Sequence, residues 1–112
     1  MKLRPAGPTL PFQPGRPVGN IYYGACSWTD RTLIDAGTFY PGNTRTAADR
    51  LAHYSSQFPI VEVDATYYAL PSERNAHLWV ERSPPGFVFN INAFGLFTHH
   101  RVVLERLPAV AK

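Results

Sequence analysis

The sequence contains a single cysteine, Cys26, and no long apolar run. One cysteine excludes an internal disulfide and a zinc site built from several thiolates. A membrane-spanning helix needs about 20 consecutive apolar residues, so we expect no membrane segment, and the N-terminus lacks the apolar core of a secretory signal. A glycine-rich phosphate-binding loop is also missing. These features favour a soluble, cytoplasmic protein with no cofactor.

Positive charge is in excess but is not clustered. The formal net charge is +3, and three of the 11 basic residues lie among the first twenty residues, which contain no acidic residue. The other eight balance the eight acidic residues of the remaining chain. Nucleic-acid binding requires a basic patch or stripe. We therefore expect no nucleic-acid partner.

The N-terminal segment is rich in proline. Prolines recur at every third position from Pro5 to Pro17, which is the repeat of a polyproline II helix. We predict that residues 1–20 form a disordered basic arm. A ligand for an SH3-like groove, flanked by Arg4 and Arg16, is the alternative.

The rest of the chain alternates strand and helix patterns. Thr46 is a helix cap and Pro59 a helix stop, and Ser72 caps a second helix whose apolar stripe is Ala76, Trp79 and Val80. Strands joined through helices run parallel, which indicates an α/β fold. The predicted strands cover residues 21–26, 60–64 and 87–93, with a long loop over residues 27–45 and the start of a third helix over residues 101–107.

The second predicted strand carries two acidic residues in an apolar run. Glu62 and Asp64 alternate with valines, so both carboxylates point to the same side of the strand. Charged side chains are rarely hidden from water without a partner or a purpose. On the third strand Asn90 and Asn92 face the same surface, whereas Phe89 and Ile91 face the apolar side. The pattern indicates a site on the polar surface.

Six motifs follow one another through the body of the chain. They are Gly-Ala-Cys-Ser-Trp at 24–28, Phe-Tyr-Pro-Gly at 39–42, Phe-Pro-Ile-Val-Glu-Val-Asp-Ala-Thr-Tyr-Tyr at 58–68, Trp at 79, Pro-Pro-Gly-Phe-Val-Phe at 84–89 and Leu-Phe-Thr-His at 96–99. In this order and spacing they resemble the YecE-like family, also called domain of unknown function 72. The resemblance covers about residues 21–100. The chain departs from the family pattern at Asp64, where Asn is usual, and at Asn92, where Lys is usual.

The resemblance implies a TIM-type (β/α)8 barrel whose biochemical activity is not established. A closed barrel takes about 250 residues. We therefore expect residues 21–112 to form the N-terminal part of such a barrel, about three β/α units, incomplete in this chain. Two explanations of the short length stay open: a truncated or frameshifted gene, and a barrel that other chains complete. The isolated fragment is expected to self-associate or aggregate.

Barrel enzymes place their chemistry at the C-terminal ends of the strands. On this basis Glu62 and His99 are the candidate catalytic residues, with structural roles as the alternative. The candidate ligand-binding residues are Trp28, Asp64, Tyr68, Asn92 and Thr98. Glu62, Asp64 and His99 have the chemistry of metal ligands. The sequence lacks paired ligands at a spacing such as His-x-x-x-His, so we predict no metal. Cys26 is expected to be buried in the first strand.

The expected function follows from the barrel mouth. The intact fold would bind or transform a small polar or phosphorylated molecule there. A non-catalytic binding barrel, and a truncated remnant without independent activity, are the alternatives.

Overall fold

The computed structural model describes residues 12–109. Helices and short strands alternate in it, with 3₁₀ turns after each strand and near the C-terminus. In chain order the regular elements are α1 (Arg31–Asp35), α2 (Ala47–Gln57), β1 (Ile60–Val63), α3 (Glu73–Glu81) and β2 (Val88–Ile91), and the 3₁₀ turns are Ala65–Tyr67, Gly95–Thr98 and Leu104–Arg106.

Helix α2 begins and ends where local signals place it. The Thr46 hydroxyl accepts a hydrogen bond from the Asp49 N–H at 3.1 Å, and the Asp49 carboxylate accepts one from the Thr46 N–H at 3.1 Å. This capping box satisfies two backbone donors that the first turn leaves free. Hydrogen bonds from the Thr46 and Arg45 backbone lower the pKa of Asp49. The helix ends before Pro59, so the predicted cap and stop are confirmed.

The sheet is parallel, as the alternation of strands and helices predicts. β1 pairs with β2 in a register that places Glu62 opposite Asn90 and Val63 opposite Ile91. On the other side of β1, Cys26 forms a single parallel bridge with Glu62. The predicted first strand over residues 21–26 is therefore reduced to this one bridge to the sheet, and Ile21 instead forms an isolated antiparallel bridge with Val18.

A side chain from α2 explains why the first strand is so short. The buried Tyr54 hydroxyl accepts a hydrogen bond from the Ala25 N–H at 2.6 Å and lies 3.0 Å from the Ile60 carbonyl oxygen. The phenol thus takes backbone groups that a longer ladder would pair. Gly24 allows the close approach, because a Cβ there would lie 2.1 Å from the Ile60 oxygen.

The core lies between β1 and α2. Val61 and Val63 are buried against Leu51 and Tyr54, whereas Glu62 between them is exposed. This confirms the predicted division of the strand into an apolar and a polar side. Two expected core positions are wrong, since Val80 on α3 is 66% exposed and Ile91 on β2 is 51% exposed. No part of the described chain covers Val80, and β2 is the edge of the sheet.

The N-terminal arm is ordered where it can be described. The Gly15 N–H donates to the Gln57 carbonyl at 2.9 Å, and the Phe12 and Tyr23 rings lie 5.8 Å apart. Disorder was predicted for all of residues 1–20, so this part of the prediction does not hold for residues 12–20. Residues 1–11 lie outside the described range.

Two further elements differ from the predictions. The long loop contains α1, which begins because the Asp30 carboxylate accepts a hydrogen bond from the Leu33 N–H at 3.2 Å. The third helix expected over residues 101–107 is only the 3₁₀ turn Leu104–Arg106. Pro108 follows at once and prevents continuation.

Candidate functional site

Three polar side chains form a row across the sheet. The parallel register places Cys26 beside Glu62 and Glu62 beside Asn90. All three are exposed, whereas Val61 and Val63 on the opposite side are buried. We call Cys26, Glu62 and Asn90 the polar row. It borders an open depression of about 220 Å³, whose other walls are Gly24, Ala25 and Ile60.

Cys26 lies on the open side of the sheet, so the prediction that it is buried is wrong. Cys26 shares the face of the sheet that carries the exposed Glu62 and Asn90, and no layer of the described chain packs over that face. Partial loss of hydration raises the pKa of the Cys26 thiol, and the charge of the neighbouring Asp64 carboxylate raises it further. The Glu62 charge acts in the same direction. The thiol is therefore protonated at neutral pH and is a poor nucleophile.

A second cavity adjoins the end of β1. It has a volume of about 260 Å³ and brings Trp28, Asp64 and Trp79 to one surface. The Trp28 ring is 8% exposed and packs edge-on against Trp79, with ring centroids 5.3 Å apart. Trp28 therefore belongs to the core and also forms part of this cavity wall, while Asp64 is exposed at its rim.

The C-terminal ends of the two strands are joined by a residue that the sequence analysis did not single out. The Thr66 hydroxyl is buried and lies 3.0 Å from the Val63 carbonyl oxygen and 2.8 Å from that of Asn92. The Asn92 N–H also donates to the Val63 carbonyl at 3.1 Å. The Asn92 backbone thus fastens β2 to β1. A hydroxyl directly after a strand was the available signal, since Thr side chains commonly bind nearby backbone carbonyls.

Tyr68 is 59% exposed on the turn after β1, and its ring packs edge-on against Tyr67 at a centroid distance of 5.1 Å. Thr98 pairs with His100, whose Nδ1 lies 2.7 Å from the Thr98 hydroxyl. His100 in turn packs on Tyr67 at 5.4 Å. His100 is exposed, and no sequence motif indicated these two contacts.

His99 is exposed and its backbone is left-handed, with φ of 62°. It is not among the lining residues of either cavity. Within residues 12–109, no three His, Cys, Asp or Glu side chains converge in a way that could hold a metal ion. The combination of Glu62, Asp64 and His99 is therefore not assembled as a metal site.

No helix in the described part of the chain is long and apolar enough to cross a membrane.

Comparisons with known proteins place the chain in a family. Residues 22–112 match the family described as "Protein of unknown function DUF72". The chain is also 40% identical over 81 residues to the UPF0759 protein YunF of Bacillus subtilis (strain 168). That match covers 72% of this chain and 27% of the relative, so the chain spans about a quarter of the relative's length. No solved structure gives a significant match. The chain thus belongs to the DUF72 family of proteins of unknown function, which confirms the resemblance seen in its sequence.

Proposed function

We propose that the chain forms one wall of a site that binds or transforms a small polar or phosphorylated molecule. The polar row carries this proposal, because three side chains in register present a thiol, a carboxylate and an amide on one open face. In α/β folds with parallel sheets, ligands bind at the carboxyl ends of the strands. The row and the Asp64 cavity both approach that edge.

The proposed roles follow from the chemistry of each group. Glu62 lies between two uncharged neighbours, where its carboxylate can accept hydrogen bonds from a ligand or take a proton from it. Cys26 donates a hydrogen bond and does not act as a nucleophile, since its pKa is raised. Asp64 and Trp28 line the adjacent cavity and contact the less polar part of the ligand.

Residues after β2 complete the proposal. His99 is the proposed second proton-transfer group and Thr98 a ligand-binding hydroxyl, both on the turn that follows the strand. Tyr68 and Asn92 are proposed ligand contacts at the same edge. In the whole protein these groups would lie at the mouth of a TIM-type barrel, of which this chain supplies the N-terminal part. Parallel strands connected through α3 support that architecture.

Two alternatives use the same residues. A non-catalytic binding barrel would hold the ligand without turnover, and a truncated remnant would bind nothing. Screening the full chain by thermal shift against sugar phosphates, nucleosides and amino acids separates them. We expect a stabilising ligand whose affinity falls about tenfold or more in Glu62→Gln, the loss of one charge-assisted hydrogen bond. Glu81→Gln, an identical change on α3, is the control.

The outcome is decided by the comparison of the two variants. Equal binding by Glu62→Gln and the native chain contradicts the role of Glu62. Consumption of the ligand identifies an enzyme, and binding without consumption identifies a binding protein. No stabilising ligand in the screen supports the remnant.

We also propose that the isolated chain self-associates. Val88 and Ile91 are exposed on β2, and Phe97 beyond it is 70% exposed. Apolar groups beside a free strand edge favour pairing with another copy. A molar mass that rises with concentration in light scattering is expected, and a constant monomer mass contradicts it.

Because Cys26 is a free, exposed thiol, we propose a reducing, cytoplasmic location.

A further inference from the structure

A separate cleft lies where the C-terminal segment passes the turn after β1. Its volume is about 280 Å³. Two arginines, two tyrosines, two valines and a glycine line it, and none of them belongs to the polar row. We call it the arginine cleft, defined by Tyr67, Tyr68, Gly95, Arg101 and Arg106.

The charge of the arginine cleft is positive and has no acidic partner in the part of the chain that the structure describes. Arg101 and Arg106 both line it, and no acidic side chain does. The ion pairs within residues 12–109 join Arg31 to Asp35 and His77 to Glu73, so neither cleft arginine is engaged in one. A guanidinium offers several donors in a planar fork that matches the oxygens of a phosphate or carboxylate.

The remaining walls are aromatic and apolar. Tyr67 and Tyr68 meet edge-on at an interplanar angle of 85°, which leaves the exposed Tyr68 with a free ring surface. Gly95 allows its turn to approach Tyr67 closely at the cleft wall, because a Cβ there would lie 3.1 Å from the Tyr67 carbonyl oxygen. The volume is just below the range of roughly 300–1,000 Å³ typical of drug-sized ligands, which suits a single ring with one charged substituent.

We propose that the arginine cleft binds the oxyanion, phosphate or carboxylate, of a small aromatic molecule. Arg101 and Arg106 hold the anion, and Tyr68 contacts the ring. The inference deepens the proposed function and rests on it, since it supplies an anion-binding part to a site at the same edge of the sheet. It depends on no contact made by Glu62.

Titration of the isotope-labelled full chain, followed by amide NMR, tests the cleft. Inorganic phosphate, phenyl phosphate and benzoate are the probes. We expect saturable shifts centred on Gly95 and Tyr68, with phenyl phosphate about threefold or more tighter than phosphate because of the ring contact. Whichever of phenyl phosphate and benzoate binds more tightly identifies the anion.

Matched variants decide between the cleft and general anion attraction. Arg101→Gln should lower the affinity for phenyl phosphate about tenfold, because it removes a charge-assisted hydrogen bond. Arg82→Gln, at the C-terminal end of α3, should change that affinity less than about twofold. Tyr68→Ala should remove the advantage of phenyl phosphate over phosphate. If Arg101→Gln fails to fold, Arg106→Gln replaces it.

Two results would overturn the inference. One is linear, non-saturating shifts with every probe, and the other is equal weakening by Arg101→Gln and Arg82→Gln. Either result refutes the arginine cleft and leaves the Glu62→Gln screen to be judged alone. If phosphate binds saturably and Glu62→Gln binds the screened ligand as tightly as the native chain does, the polar row is refuted and the arginine cleft is retained.

Discussion

The hydroxyl of Tyr54 joins the segment before α1 to the sheet, and its removal tests that connection. Tyr54→Phe deletes one oxygen and keeps the fully buried ring. The hydroxyl accepts from the Ala25 N–H at 2.6 Å and lies 3.2 Å and 3.0 Å from the carbonyl oxygens of Ala25 and Ile60. The Glu62 N–H also donates to the Ala25 carbonyl, so the groups that lose a partner are the Ala25 N–H and the Ile60 carbonyl. A stranded donor of this kind costs about 1–3 kcal/mol.

We therefore expect the free energy of unfolding to fall by about 2 kcal/mol in Tyr54→Phe. Equilibrium urea unfolding measures it as a midpoint lower by roughly 1–2 M at an unchanged slope. Tyr23→Phe is the matched control, because the buried Tyr23 hydroxyl finds no hydrogen-bond partner within residues 12–109. Its removal should leave stability unchanged or raise it. Equal midpoints for the two variants would refute the bridging role of Tyr54.

Two other predictions concern Gly24 and Tyr40. Gly24→Ala places a Cβ 2.1 Å from the Ile60 oxygen, so the strand must shift, and the free energy of unfolding should fall by about 1–3 kcal/mol. Gly42 has open space around it, so Gly42→Ala should change the free energy of unfolding by less than about 0.5 kcal/mol in the same urea assay. Equal effects of the two substitutions would contradict this close contact. Burial raises the pKa of Tyr40 to about 12, and the unfolded value is about 10. The folded state thus retains this proton more tightly, and its stabilising effect is complete below pH 10 and lost as the pH rises toward 12. In an absorbance titration Tyr40→Phe should lack the highest step, and an unchanged titration curve would argue against the assignment.

Sequence-based prediction succeeded where the signals are local. Thr46, Asp49 and Pro59 define α2 through contacts within one helical turn, and Ser72 caps α3 in the same way. The alternation of Val61 and Val63 with Glu62 fixed the two sides of β1 before any partner was known. These features depend on neighbours close in sequence, which a pattern can show.

It failed where distant side chains decide the outcome. Tyr54 lies 29 residues from Ala25 and takes the backbone groups that would have extended the first strand. That contact has no local signature in the sequence. Val80 was placed in a buried stripe because α3 is amphipathic, yet nothing in the described chain packs over it closely enough to bury it.

The candidate site likewise contains residues that the local sequence pattern predicts and residues that only the folded structure brings together. Glu62, Asp64 and Asn90 could be assigned to one surface from strand periodicity alone. The pairing of Thr98 with His100, and the convergence of Arg101 with Tyr67 and Tyr68, arise from turns whose geometry the sequence pattern does not define. The roles of His99 and Thr98 stay predictions.

The pH dependence of Cys26 alkylation reports whether carboxylates lie beside this thiol on the open face of the sheet. Because the chain has one cysteine, iodoacetamide reports on that thiol alone. The proximity of Asp64 predicts an apparent pKa above the ordinary value of about 8.5 in the native chain, a lower pKa in Asp64→Asn, and no change in Glu81→Gln. Identical alkylation profiles for the native chain and Asp64→Asn would contradict the arrangement.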